Sequence, residues 1–135
     1  MKNIVYKSDL IPAIDKVIYL YNDAGWNSYT KDKEILEKAI KNSLKVWTVW
    51  DGSDLIGLAR VVGDGVSIIY IQDILILTRY QGLGIGSRLL QMILDEYKSV
   101  RQILLLTDDS SKNIEFYKKN GLRDISDYNC LAFMK

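Results

Sequence analysis

Apolar positions follow a helical period in the first third of the chain and a strand-like pattern after it. Apolar residues recur every three to four positions over 11–24 and again from about 32 to 44, which predicts two amphipathic helices. From Val46 to Leu77 the segments become β-rich, and turns at 51–54 and 63–65 divide them into three strands. We therefore expect two helices followed by an antiparallel three-strand meander.

The second half of the chain alternates helical and strand patterns. A helix is predicted to about Tyr97, a buried strand over Gln102–Thr107 and a further helix from about Lys112 to Asn120. Near the C-terminus, the stretches 122–125 and 129–134 predict a closing hairpin.

The order of these elements sets the expected fold class. A short strand at Asn3–Lys7 precedes the first helix, so the chain reads β-α-α-β-β-β-α-β-α-β-β. This order predicts an α/β fold, with a mixed sheet and helices on both of its faces. A length of 135 residues, 48% of them hydrophobic, suits one domain over 1–135 with a single core.

Composition narrows the classes of function. A net charge of +1 gives no electrostatic reason to expect a nucleic-acid partner, and no apolar run reaches the roughly 18–20 residues that cross a membrane. The single cysteine, Cys130, excludes an internal disulfide and fits a reducing cytoplasm, where we expect the protein to act. Because the chain has no histidine, histidine-based triads and histidine metal ligands are excluded, and we expect no metal.

The most informative segment joins an apolar strand to an amphipathic helix and reads Gln81-Gly82-Leu83-Gly84-Ile85-Gly86-Ser87. Glycine lets a backbone approach a ligand closely, and a helix N-terminus favours an anion. Neither the lysine of a P-loop nor the third glycine of a Rossmann fingerprint stands at its required position. The segment predicts a pyrophosphate cradle, and a glycine-rich turn without a ligand is the alternative.

Gln81, Gly84 and Gly86 match the pattern Gln/Arg-x-x-Gly-x-Gly/Ala, through which the chain resembles the Gcn5-related N-acetyltransferase (GNAT) family. The predicted order of elements is also that family's order, over essentially the whole chain. The resemblance implies that two central parallel strands splay apart and that residues 81–87 bind the pyrophosphate of coenzyme A. It also implies that the main-chain groups of Ile74, Leu75 and Ile76 bind the pantetheine arm of coenzyme A.

A second stretch, reading Phe116-Tyr117-Lys118-Lys119-Asn120-Gly121-Leu122, resembles the family's Phe/Leu-Tyr-x-x-x-Gly-Phe. In the family this tyrosine protonates the leaving thiolate, so Tyr117 is the expected general acid, with a packing aromatic as the alternative. Ser110 stands where the family usually has a cofactor-binding asparagine, and Asn113 lies one turn before Tyr117. Asn113 is therefore a candidate cofactor contact or a solvated side chain.

Asp73 interrupts the apolar strand that precedes the glycine segment. A carboxylate there is costly unless it faces a cleft or has partners. Strand alternation predicts Tyr70, Gln72 and Ile74 on one face and Asp73 on the other. Asp73 is a candidate general base for the amine, directly or through water, and a hydrogen-bonded structural carboxylate is the alternative.

In the family, the first two helices, their connection and the last strands frame the acceptor. Trp26 and Tyr29 on that connection, and Tyr128 near the C-terminus, are the candidate acceptor contacts. Trp26 and Tyr29 could equally cover the core.

The resulting expectation is an acetyl-CoA-dependent N-acetyltransferase that acts by direct attack of a small-molecule or peptide amine. A non-catalytic acyl-CoA-binding or regulatory module on the same fold is the alternative. We expect neither a nucleic-acid nor a membrane partner, and the sequence leaves monomer and homodimer open.

Overall fold

The computed structural model describes residues 3–135, so Met1 and Lys2 of the predicted domain lie outside it. The strands are β1 (Ile4–Lys7), β2 (Lys45–Asp51), β3 (Asp54–Gly63), β4 (Ile68–Ile76) and β5 (Gln102–Leu104). The helices are α1 (Ile14–Asp23), α2 (Asn27–Thr30), α3 (Lys33–Lys41), α4 (Ile85–Glu96) and α5 (Ser111–Lys119). Single 3₁₀ turns occupy Thr78–Tyr80 and Ile125–Tyr128.

The described strands form one mixed sheet in the order β1-β2-β3-β4-β5. Neighbouring strands from β1 to β4 are antiparallel, whereas β4 and β5 are parallel and are connected through α4. The mixed sheet of the predicted α/β class is therefore confirmed.

Helices lie against both faces of this sheet. The Asp73 side chain of β4 is hydrogen-bonded to Tyr21 of α1. Ile76 of β4 and Phe116 of α5 both lie beside Gly86 of α4. Residues three apart on a strand point to opposite faces, so α1 packs on one face and α4 and α5 on the other.

The core lies between these layers, and its side chains come mainly from β2, β3, β4, α1 and α4. The apolar stripe of α4 is buried as the helical period predicts, through Ile85, Leu89, Leu90 and Ile93. Asp32 caps α3, because its carboxylate accepts hydrogen bonds from the amides of Glu34 and Ile35. Among the described residues, no helix combines the length and the apolar character that a membrane span requires.

The central strand β4 contains a bulge. Its register with β3 passes from Arg60↔Asp73 to Val61↔Ile71, which leaves Gln72 without a partner. A bulge bends the strand and re-aims the side chains beside it. The alternation that the sequence predicts nevertheless persists in the burial of β4, where Ile71, Asp73 and Leu75 are buried and Tyr70, Gln72 and Ile74 are half-buried.

The predicted closing hairpin is wrong for the chain in this conformation. Residues 122–135 contain the 3₁₀ turn at 125–128 and no strand. The Asp124 carboxylate caps that turn by accepting from the Ser126 amide, and Asn129 adopts the left-handed conformation after it. As a result β5 is an edge strand rather than a strand buried in the middle of the sheet, and Leu106 beyond it is exposed.

Candidate active site

The strands β4 and β5 separate after a short parallel contact. They are paired only at Ile68↔Gln102, Ile69↔Ile103 and Tyr70↔Leu104, whereas β4 continues to Ile76. The segment 71–76 of β4 therefore has a strand neighbour on its β3 side only. A ligand with amide groups can pair with an exposed strand edge of this kind as an added strand would. The predicted pantetheine segment, Ile74 to Ile76, lies within it.

The glycine segment begins just beyond the end of β4. Gly82 and Gly84 have φ of 78° and 83°, so both are in the left-handed region that glycine tolerates best. Gly84 is the N-cap of α4 and supplies no side-chain cap. The backbone amides of residues 83–87 donate to no acceptor among residues 3–135. Free amides at the N-terminus of a helix favour an anion, so the pyrophosphate site that the sequence predicts here stays a prediction.

Gly86 has a different role from the two glycines before it. It lies inside α4, and its φ is outside the left-handed region. A Cβ at Gly86 would lie 3.4 Å from the Phe116 ring and 3.8 Å from Cγ1 of Ile76. Because Gly86 has no side chain, α5 can pack against the end of β4 and the start of α4. A Cβ at Gly82 or Gly84 would instead enter open space.

The side chain of Gln81 connects the same three elements. Its Nε2 donates to the Ile76 carbonyl at 3.1 Å, and its Oε1 accepts from Nζ of Lys112 at 3.1 Å. Lys112 thus places a positive charge at the glycine segment, which the sequence patterns did not indicate because it belongs to α5, 31 residues further along. The flanking arginines lie over aromatic rings, with Arg79 above Tyr80 and Arg88 above Tyr6.

Tyr117 follows Phe116 on the side of α5 that packs against the core. The two rings are 5.0 Å apart in an edge-to-face arrangement, so Tyr117 is held close to the site at Gly86. Burial raises the pKa of the Tyr117 hydroxyl. Its hydroxyl oxygen makes no hydrogen bond to another group in the described part of the chain. Tyr117 is therefore protonated at neutral pH and has its proton available.

The polar candidates around α5 have distinct environments. Ser110 caps the helix, because its Oγ accepts from the Asn113 amide at 3.3 Å. The Asn113 side chain is half-buried and lies one turn before Tyr117, on the same side of the helix. Ser87 Oγ accepts from Nδ2 of Asn120 at 3.2 Å, which ties α4 to the end of α5. Asn113 remains the predicted cofactor contact of this group.

Asp73 belongs to a buried polar cluster. Its Oδ2 accepts hydrogen bonds from Tyr21 Oη and from Arg60 Nε, each at 2.6 Å. The Asp73 side chain is 0% exposed, and its Oδ1 has no partner among residues 3–135. Arg60 also donates to Ser43 Oγ at 3.3 Å. These contacts favour the structural alternative for Asp73, because a base must reach the amine or a connected water.

The electrostatics of the cluster keep the protons on its two donors, Arg60 and Tyr21. Burial lowers the pKa of Arg60, but the charge and hydrogen bond of Asp73 outweigh it, so the pKa of Arg60 is raised overall. Burial, followed by the negative charge of Asp73, raises the pKa of the Tyr21 hydroxyl. Arg60 thus stays charged and Tyr21 stays protonated, which keeps both as donors to the carboxylate.

Trp26 and Tyr29 form an aromatic cluster with Tyr21. The Tyr21 centroid lies 6.1 Å from Trp26 and 5.4 Å from Tyr29, and the Tyr29 hydroxyl accepts from Nε2 of Gln72 at 3.0 Å. Both candidates are half-buried against the core. The cluster therefore covers core residues and also places Tyr29 beside the bulge of β4.

Tyr128 is not brought together with the other acceptor candidates. It ends the 3₁₀ turn at 125–128, and its ring and hydroxyl contact Arg123. Tyr128 is half-exposed, and neither Trp26 nor Tyr29 is among its aromatic contacts in the described residues. The acceptor roles of all three remain predictions.

Comparison with known proteins identifies the family of this fold and site. The model of the acetyltransferase (GNAT) family matches residues 11–122, and the chain belongs to that family. A GNAT-family acetyltransferase from Streptococcus pneumoniae is 35% identical, with a TM-score of 0.88 over 98% of this chain and 97% of its own. An uncharacterized N-acetyltransferase from Prochlorococcus marinus is 32% identical over 76% of this chain, which spans only 58% of that relative's length.

A more distant structure shares the fold alone. It is an aminoglycoside N-acetyltransferase determined in complex with CoA, and it is 11% identical to this chain. Its TM-score is 0.71, over 90% of this chain and 89% of its own. The expected membership of the GNAT family and the GNAT fold are confirmed.

Substitution of Asp73 distinguishes a structural carboxylate from a general base. Asp73→Asn leaves Arg60 buried without its counter-charge, and we expect the free energy of unfolding to fall by about 3 kcal/mol. Any loss of acetyl transfer should then be independent of pH. The measurements are chemical denaturation and a pH profile of kcat/KM.

The double variant Arg60→Met with Asp73→Asn is the control, because it removes both charges and should recover part of the stability. A stable Asp73→Asn protein whose activity deficit shrinks as pH approaches the pKa of the amine would instead identify Asp73 as the base.

Proposed function

We propose that this protein is an acetyl-CoA-dependent N-acetyltransferase that transfers the acetyl group directly to a primary amine. The proposal rests on two stretches of unpaired backbone that lie close together along the chain. The edge of β4 over 71–76 is open on its β5 side, and the free amides of residues 83–87 follow it along the chain. Together they fit an elongated ligand with amide groups in its arm and a pyrophosphate at its end.

Coenzyme A meets both requirements. In this proposal the amides of 83–87 bind the pyrophosphate, and Lys112 adds a charge-assisted contact beside them. The main chain of Ile74 to Ile76 pairs with the pantetheine arm. Gln81 already donates to the Ile76 carbonyl, so its amide holds the end of β4 against the glycine segment. The distant relative determined with CoA supports this choice of ligand through its shared fold.

Direct transfer requires a proton donor for the leaving sulfur. The amine nitrogen forms a bond to the acetyl carbon while the carbon–sulfur bond breaks and the electron pair remains on sulfur. Tyr117 gives its hydroxyl proton to that thiolate, and the proton lost by the amine restores the tyrosine through solvent. The raised pKa of Tyr117 keeps the donor loaded at neutral pH. An amide of the open β4 edge stabilises the developing oxyanion.

Covalent catalysis by the protein receives no support from the described residues. Cys130 is exposed on the C-terminal segment, and the chain has no histidine to activate it. An amine that enters beside Tyr29 would reach the same bulged part of β4. We therefore place the acceptor on the α2 side of the cleft, with Trp26 and Tyr29 as its aromatic contacts.

The direct test is release of CoA from acetyl-CoA with a panel of amines, both small molecules and peptides. Turnover that requires an amine, with the acetylated amine identified by mass spectrometry, is the result expected. Binding of CoA without turnover across the panel would support the non-catalytic module instead. No binding of CoA would reject both.

Gly84→Val tests the glycine segment. Valine at φ of 83° costs about 1–2 kcal/mol of backbone strain, and its branch enters the open space at Gly84, where we propose that the pyrophosphate binds. We expect CoA binding to be lost by calorimetry.

Gly52→Val is the matched control, since Gly52 also has a positive φ and open space around it but lies in the β2–β3 turn. Wild-type affinity in a folded Gly84→Val protein would remove this segment from the binding site.

Tyr117→Phe tests the proton donor. We expect kcat to fall roughly 10- to 1,000-fold, the range for losing a general acid, with little change in the affinity for CoA. Tyr97→Phe is the control, because Tyr97 is also half-buried with a raised pKa but packs on Trp47. Equal kcat values for Tyr117→Phe and wild type, with chemistry rate-limiting, would make Tyr117 a packing residue.

Lys112→Met tests the cation that the fold brings to the glycine segment. Removing one charge-assisted contact should weaken CoA binding roughly tenfold and reduce its dependence on salt. The same weakening is expected with dephospho-CoA, which keeps the pyrophosphate. Lys118→Met on the same helix is the control, and a Lys112→Met protein that binds both ligands like wild type would contradict the assignment.

A further inference from the structure

Asp23, the last residue of α1, stands where the helix itself disfavours a negative charge. The C-terminal end of a helix carries a partial negative charge, so a carboxylate there is unfavourable. In the helix as the structure describes it, the last turn holds no basic residue that would compensate. The stability of α1 therefore does not explain Asp23, whose partner lies in another part of the fold.

That partner is the turn that precedes the glycine segment. Oδ2 of Asp23 accepts from the Thr78 amide at 2.8 Å and from Thr78 Oγ1 at 3.0 Å. Thr78 begins the 3₁₀ turn, and the residue before it, Leu77, is apolar and cannot cap the turn. Asp23 thus supplies from α1 the cap that the local sequence lacks. A longer contact of 3.5 Å, from Arg79 to the Tyr19 hydroxyl, joins the same two elements.

The same end of α1 also fixes the segment 24–30, which carries two of the acceptor candidates. Oδ1 of Asn22 accepts from Thr30 Oγ1 at 2.7 Å, and the Trp26 amide donates to the Tyr21 carbonyl at 3.0 Å. The segment is thereby folded back onto the helix end that holds the 3₁₀ turn. Any shift of that helix end is passed on to both.

The segment 24–30 is attached to β4 on either side of the open stretch. Near its start, Tyr29 accepts from Nε2 of Gln72 at 3.0 Å. Beyond its far end, Thr78 is held by Asp23, the residue directly before the segment. The main chain between these two attachments is where we propose that the pantetheine arm pairs. A ligand that orders this region therefore acts on the segment as well.

We propose that Asp23 is a positioning residue that couples the anion site at the glycine segment to the acceptor contacts of Trp26. The coupling rests on the proposed function, because it requires residues 83–87 to bind a diphosphate. Binding fixes the glycine segment and the turn before it, and the Thr78–Asp23 contact carries this ordering to the end of α1. By linkage, an amine bound at Trp26 changes the affinity for the diphosphate by the same factor.

The test follows the indole N–H of Trp26 by NMR while 3′-phosphoadenosine 5′-diphosphate is added. This nucleotide carries the diphosphate of coenzyme A and lacks the pantetheine arm, so it does not extend along β4. Trp26→Phe assigns the resonance. In wild type we expect a saturable shift of the Trp26 indole with the same midpoint as the shifts of the amides of 83–87. Trp47, which is buried against Tyr97, is the internal reference.

Thr78→Pro cuts the contact and keeps the turn. Proline suits the first position of a helical turn, and Leu77 already has the extended ψ, 138°, that a following proline requires. The substitution removes both donors to Asp23. We expect the amides of 83–87 to report nucleotide binding with little change in affinity, and the shift of Trp26 to be lost.

Asp23→Ala removes the acceptor instead. We expect the same loss of the Trp26 shift, with nucleotide binding weakened about fivefold, the usual cost of losing a helix cap. Asp15→Ala is the matched control, because it removes the same charge from the same helix. The Asp15 side chain is 86% exposed and only pairs with Lys33 at 3.4 Å, so this variant should respond like wild type.

The failure of the coupling is distinguishable from the failure of the proposed function. Shifts at 83–87 without a shift of Trp26 in wild type would overturn the coupling alone. A Trp26 shift that persists in Thr78→Pro or in Asp23→Ala would do the same. No shift at 83–87 in wild type would reject the anion site itself, and the coupling with it.

Discussion

The parting of β4 from β5 is the constraint on which the rest of the site depends. A parallel pair that continued along the whole of β4 would satisfy its backbone groups and leave no edge for a ligand. Because pairing stops at Tyr70↔Leu104, the six residues that follow in β4 keep one side open. The bulge at Gln72 bends β4 in the same region, so the strand leaves its neighbour where a ligand can enter.

Contacts from neighbouring elements hold the candidate site in place. The glycine segment has little side-chain packing of its own, and it is fixed by contacts from its neighbours. Gln81 reaches back to Ile76, Gly86 lets Phe116 approach, and the neighbouring Tyr117 is positioned by that same contact. The buried Arg60–Asp73 pair joins β3 to β4 within the open segment, and Tyr21 of α1 donates a hydrogen bond to Asp73. The binding surface is therefore backbone, and the side chains around it mainly hold that backbone in shape.

Sequence patterns predicted the parts of this arrangement that are local. The period of α4 and the strands of the meander follow from residues close in the chain. The patterns failed where the outcome depends on distant partners. Lys112 meets Gln81, Arg60 meets Asp73, and the bulge appears only in the register of two strands. The C-terminal segment has the composition of a strand, but it forms no strand among the described residues.

The central claim is that the open edge of β4 and the amides of the glycine segment form one surface for coenzyme A. Backbone amide NMR of the labelled protein, titrated with CoA, tests it directly. We expect the largest saturable shifts at residues 83–87 and along 71–76 of β4, with smaller changes at the start of α5. Shifts confined to other parts of the chain, or none at saturating CoA, would contradict it.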